Sequence, residues 1–186
     1  GVQTCALPIS LSPEYRIFAL DLPDHGASPH GKSTSHKLMR EGVSEWIERH
    51  LSSPFVLCGH SLGGKLAMGY ACARPGRLRG LVVVDIAPRA YPPEHHLPTL
   101  DAMLSLDLSD LKSRKHADEM LSERIPNWAF RQFLLTNLQE VEGNWQWRAN
   151  LEVLRKGMSD LSDNPLAAED SYDGPTLFLR GGKPGY

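Results

Sequence analysis

The stretch Pro54-Phe55-Val56-Leu57-Cys58-Gly59-His60-Ser61-Leu62-Gly63-Gly64-Lys65 decides how this chain is read. Residues 54–59 form a short, continuous apolar run, the pattern of a strand buried on both faces of a parallel sheet. A helix is predicted to begin at once at Ser61 and to run to about Arg74, where Pro75-Gly76 stops it. Ser61 therefore falls on a tight turn between a buried strand and a helix.

Within that turn, Gly59-His60-Ser61-Leu62-Gly63 has the form G-x-S-x-G. Five residues occur by chance, so the strand before and the helix after carry the weight. Such a turn strains the serine backbone and lifts its hydroxyl clear, which makes Ser61 the candidate nucleophile. Gly59 and Gly63 are expected to be required because side chains there would meet the neighbouring strand and helix, with Gly64 giving further room. The Leu62 N–H, at the helix start, is placed to donate to an oxyanion. The plain alternative is a Gly/Ser-rich strand-to-helix turn without catalysis.

A serine hydroxyl needs a base, and the base needs an orienting carboxylate. His60 adjoins Ser61, but neighbours on a sharp turn point in different directions, so it is not the base. Asp85 is the candidate acid, because it ends the next apolar run, Leu81-Val82-Val83-Val84-Asp85-Ile86. The alternative for Asp85 is a turn or helix-capping aspartate ahead of Pro88.

Working outward, residues 15–20 (YRIFAL) are predicted as a strand and 21–32 as a Gly/Pro/Asp/His-rich turn loop. Ser33, Thr34 or Ser35 can cap a helix over 36–51, where Met39, Val43, Trp46, Ile47 and Leu51 recur at helical spacing. Residues 81–86 and 176–180 are further strands. Strand, helix, strand, helix, strand implies a parallel α/β sheet. Residues 88–173 lack convincing buried strands and suggest helices near 94–106, 108–124, 128–138 and 145–156. This segment is expected to form a helical cap over the strand C-terminal edge, where open α/β sheets bind ligands. The organisation expected is a core over 10–87, a cap over 88–173 and more core over 174–186. Residues 1–9 show neither strand alternation nor helical period and are set apart as a candidate non-native stretch.

Twenty basic against 22 acidic residues give a formal charge of −2. That balance offers no electrostatic case for nucleic acid or an anionic membrane. No apolar run approaches the roughly 20 residues that span a bilayer. Cys5, Cys58 and Cys72 show no metal or disulfide spacing. Cys58 and Cys72 read as small buried hydrophobes, which with no visible signal peptide points to a reducing, cytoplasmic setting. Nothing in the sequence sets an oligomeric state.

Three segments in order carry a family resemblance. They are the loop Asp21-Leu22-Pro23-Asp24-His25-Gly26-Ala27-Ser28-Pro29-His30, the turn Gly59–Lys65 and the run Val84-Asp85-Ile86-Ala87-Pro88. Together they resemble the α/β-hydrolase subfamily of small bacterial esterases related to mammalian abhydrolase domain-containing protein 11. The resemblance implies an α/β-hydrolase fold, Ser61 as nucleophile, Asp85 as acid, hydrolysis of small-molecule esters or thioesters, and no cofactor or metal. Many α/β-hydrolases carry the acid after a later strand. No carboxylate follows residues 176–180 here, which favours Asp85. Two parts of the family pattern are not in this sequence and are expected outside it. They are a catalytic histidine beyond Tyr186 and a histidine-glycine loop before Tyr15 that gives the second oxyanion donor. The fold is thus expected to be incomplete at both ends and the fragment inactive alone.

None of the eight histidines, His25, His30, His36, His50, His60, His95, His96 and His116, follows the last strand. His25 reads as a loop-stabilising residue, and His95 with His96 as solvated cap surface, with pocket lining the alternative; they are too isolated for a metal. Trp128, Phe130, Phe133, Trp145 and Trp147 are expected mostly to pack the cap, with one or two candidates for an apolar acyl pocket. Acyl transfer to an alcohol or thiol, C–C hydrolysis by the same triad, and a non-catalytic ligand receptor are the alternative functions.

Overall fold

The computed structural model describes residues 14–182. Helix α1, His36–His50, starts because Ser35 is extended and its Oγ accepts the Leu38 N–H at 3.1 Å, which satisfies one of the helix's orphan donors. Strand β1 is Phe55–His60 and helix α2 is Leu62–Ala73. A 3₁₀ turn at Pro75–Arg77 ends α2 and leads into β2, Leu78–Val84. Helices α3 (Leu97–Leu104), α4 (Arg114–Leu121) and α5 (Trp128–Leu135) follow. Next come strands β3 (Leu138–Val141) and β4 (Asn144–Trp147), helix α6 (Leu151–Ser162) and strand β5 (Thr176–Leu179).

Strands β1, β2 and β5 make a parallel sheet in that order. Because β2 and β5 are neighbours, residues 85–175 are a single excursion between two adjacent strands. Helix α2 lies on one sheet face, where Ala67, Met68 and Ala71 pack with Leu81 and Val83. Its other side meets the excursion. Leu66 joins Met39 and the buried residues of α3 to α6, among them Leu121, Leu135, Leu138 and Leu154, in a larger cluster. Gly64 through Ala71 are consequently all buried, as expected of a helix covered all round.

Several expectations need correction. Among the described residues, 15–20 form no strand, and Tyr15 and Phe18 are exposed. A strand is a pairing relationship, and no described element lies beside this run to complete one. Among the described residues, one face of the sheet is also left uncovered. Residues alternate along a strand, and on the face away from α2 Val56, Leu177 and Leu179 are exposed. Cys58 shares that face and is exposed, so only Cys72, half-buried, approaches the expected environment.

The excursion also holds strands that the sequence reading missed. β3 and β4 form an antiparallel hairpin, Leu138 opposite Trp147 and Val141 opposite Asn144. Glu142 and Gly143 both have positive φ, 52° and 80°, the two-residue turn whose twist suits a hairpin. The helix expected over 145–156 therefore begins only at Leu151, after β4. Trp145 and Trp147 pack against the excursion's cluster as expected. Trp128, Phe130 and Phe133 do not, being 65%, 42% and 61% exposed on α5.

Candidate active site

Ser61 follows β1 directly, with φ 51° and ψ −120°, a backbone conformation uncommon for any residue but glycine. Its N–H donates to the Val84 carbonyl at 3.0 Å, and its carbonyl accepts from Gly64 and Lys65 N–H at 2.8 and 3.1 Å. Sheet and helix thus hold both ends of the residue. The hydroxyl makes no capping bond to α2, although serine at this position usually does.

The glycines around it differ in what they permit. A Cβ on Gly59 would lie 2.2 Å from the Gly63 carbonyl oxygen, and one on Gly64 would lie 2.5 Å from Ile86 Cγ2. Only glycine lets strand, helix and the run after β2 approach this closely. Gly63 departs from expectation, since a Cβ there would meet nothing within 4 Å. Leu62 opens α2, where the first N–H groups lack intrahelical acceptors and the helix dipole is positive. Its side chain is half-buried against the excursion's cluster.

Asp85 follows β2 as Ser61 follows β1. The terminal pair His60 and Val84 are in register, so both residues stand one position past neighbouring strand ends. Asp85 also has positive φ, 56°. Its N–H donates to the Leu179 carbonyl at 2.7 Å, and its exposed carboxylate accepts the Gly181 N–H at 3.4 Å. The sheet therefore brings Ser61, Leu62 and Asp85 to one edge.

His25 and His30 sit against backbone carbonyls. His25 Nδ1 is 3.0 Å from the Pro23 carbonyl, within its own loop. His30 Nε2 is 3.2 Å from the Arg148 carbonyl. His95 and His96 are exposed, and the partial burial of the His96 ring, with His95 and Lys65 near, lowers its pKa. Among the described residues no hydrogen bond reaches the Ser61 hydroxyl, and no group of His, Cys, Asp and Glu is arranged to hold a metal. No described helix is long and apolar enough to cross a membrane.

Among the buried charges that escaped the sequence reading are Asp24 and Lys65. Asp24, 2% exposed, accepts the Gly31 N–H at 2.8 Å and the Asn150 side-chain N–H at 3.0 Å. Lys65, 3% exposed, donates to carbonyls at the end of α6. Each is an ordinary polar residue in the sequence, and each has a partner more than 90 positions away that no local pattern announces.

A sequence model of the alpha/beta hydrolase family matches residues 5–184. The sn-1-specific diacylglycerol lipase ABHD11 of Mus musculus is 39% identical over 176 residues, 92% of this chain and 57% of that protein. A "Probable alcohol acetyltransferase" of Saccharomyces cerevisiae is 29% identical over 184 residues, 88% of this chain and 54% of that protein. The solved structure of a marine microorganism esterase superposes with a TM-score of 0.88 at 31% identity, covering 95% of this chain and 72% of that one. The chain spans little more than half the length of these two curated relatives.

Proposed function

The chain belongs to the alpha/beta hydrolase family, and from that membership we propose that it is the nucleophile-bearing part of a serine hydrolase acting on carboxylic esters or thioesters. The observation that carries the reading is Ser61 itself. It sits at positive φ between β1 and α2, with a hydroxyl that no capping bond occupies. The names of the relatives, a diacylglycerol lipase and an esterase, support ester cleavage.

In the proposed reaction, a histidine supplied outside the described residues takes the Ser61 proton as Oγ attacks the acyl carbon. The carbonyl oxygen becomes an oxyanion facing the Leu62 N–H at the positive end of α2. Collapse of the tetrahedral species breaks the bond to the alcohol or thiol, which leaves with the proton from the histidine. Water, deprotonated by the same histidine, then attacks the acyl-enzyme and frees the acid and Ser61. Asp85, one position past the neighbouring strand, orients the histidine and stabilises its cation. Residues 88–173 act as a cap over this edge, and no metal or organic cofactor enters.

The test is turnover of p-nitrophenyl esters by the whole protein beside Ser61→Ala. The expected loss is at least about 10³-fold in kcat. Equal rates would overturn the nucleophile assignment. Acyl transfer to an alcohol is the second reading, favoured by the yeast relative's name. Ester formation exceeding hydrolysis when an alcohol is added would select it.

A further inference from the structure

Lys65 is four residues beyond Ser61 and one turn into α2. It is a lysine at 3% exposure without a carboxylate in hydrogen-bond contact. Burying an ammonium this deeply is costly unless its donors are satisfied. Here Nζ donates to the carbonyls of Ser162, at 2.6 Å, and of Asp163, with the Leu161 carbonyl 3.5 Å away. These carbonyls lie at the C-terminus of α6, where intrahelical donors run out and the helix dipole is negative. The cation therefore caps the helix that closes the excursion.

The Ser162 carbonyl has a second donor, the Tyr91 N–H at 2.9 Å. Tyr91 belongs to the run that leaves Asp85, and its hydroxyl accepts the Ala87 N–H at 3.1 Å. Lys65 Nζ also stands 5.2 Å from the centre of the Tyr91 ring, within cation–π range. One carbonyl thus joins α2, the run after β2 and the end of α6. Ser61 and Asp85 do not need this junction to keep their relation, because the Ser61–Val84 and Asp85–Leu179 backbone bonds already fix it. What Lys65 adds is the attachment of α6 to the nucleophile helix. α6 supplies Leu151, Leu154 and Leu161 to the cluster against which Leu62 packs.

We propose that Lys65 is a positioning residue, a latch that holds the cap's last helix on the nucleophile helix and so sets the acyl side of the site. The proposal rests on the serine-hydrolase reading above. It assigns Lys65 to holding α6 against α2, outside the groups that touch substrate.

The experiment compares wild type, Lys65→Met, Lys65→Arg and Ser61→Ala in the whole protein, on p-nitrophenyl acetate and p-nitrophenyl octanoate. Lys65→Met is expected to raise KM for the octanoate about tenfold and to leave kcat on the acetate within about twofold. Lys65→Arg, which keeps a cation and donors, is expected to recover most of the octanoate KM. Hydrogen exchange supplies the readout if turnover is too low to resolve. Amides of 151–163 should exchange faster in Lys65→Met while those of β1 and β2 are unchanged. An unchanged octanoate KM, an equal fall in kcat on both esters, or unaltered exchange over 151–163 would each overturn the latch. Full activity in Ser61→Ala would instead overturn the hydrolase reading, so the two failures are told apart.

Discussion

The backbone N–H of Ser61 donates to the carbonyl of Val84, 3.0 Å away across adjacent parallel strands. That bond sets the strained turn after β1 beside the residue that precedes Asp85. Asp85, the acid of the proposed triad, can lose its charge without disturbing this relation, since its own fixed point is a backbone bond to Leu179. Asp85→Asn is therefore expected to fold with an unchanged melting temperature and to lose at least about 100-fold in kcat on p-nitrophenyl acetate. Undiminished turnover would move the acid to another residue.

The three glycines of the turn are expected to separate cleanly. Gly59→Ala sets a methyl 2.2 Å from a backbone oxygen that no rotamer change can move. Gly64→Ala meets Ile86 Cγ2, a side-chain methyl that can shift a little. Chemical denaturation should show Gly59→Ala as the most damaging, above about 3 kcal/mol, with Gly64→Ala at about 1–3 kcal/mol. Gly63→Ala has open space and a helical position, so it should be neutral or stabilising by about 0.5 kcal/mol. A large loss at Gly63 would show that this glycine does more than the described contacts indicate.

This contrast also shows what the sequence could carry. The strand-turn-helix around Ser61 was legible because it is local. An apolar run, a small-residue turn and a helix stop at Pro75 lie within about two dozen consecutive positions. Which glycine is sterically required was not legible, because the obstructing atoms belong to Ile86 and to the turn's own backbone. The hairpin Leu138–Trp147 was missed because Glu142-Gly143 is a weaker turn signal than Asn-Gly and its tryptophans also fit a helix. The exposed outer sheet face was missed for a different reason. An apolar run states that a strand favours burial, not that a described element covers it.

Asp24 offers a test of how the loop over 21–32 is tied to the excursion. Its carboxylate receives the Gly31 N–H and the Asn150 amide, and its carbonyl receives the Asn150 N–H at 2.9 Å. Asp24 also sits at φ 64°, which aspartate tolerates better than alanine. Asp24→Ala should cost about 2–3 kcal/mol by strain and unsatisfied donors, and Asn150→Ala about 1–2 kcal/mol. The double variant should lose less than the sum, because the two changes remove one shared network. Strict additivity in thermal or chemical denaturation would count against that coupling.

The pH dependence of stability has a specific sign at His36. This ring is half-buried at the start of α1, its Nε2 has no hydrogen-bond partner, and Asp160 lies 3.6 Å from Nδ1. Burial lowers its pKa below 6.5, with Lys65 acting in the same direction, while Asp160, the Leu161 carbonyl and Asp163 oppose. The unfolded chain then binds a proton at higher pH than the folded one. Stability is fully present above the unfolded pKa of about 6.5 and falls as pH drops toward the lowered folded value, by at most ~1.4 kcal/mol per pH unit. His96 shifts in the same direction, by burial first and then through His95 and Lys65, and adds to the slope. His36→Asn should flatten this part of the profile, leaving the His96 share, while the backbone bond from residue 36 to Asp160 at 2.6 Å is kept. Denaturation midpoints measured from pH 7.5 down to 5.5 decide it. A variant profile parallel to that of wild type would show that His36 protonates as readily in the folded protein as in the unfolded chain.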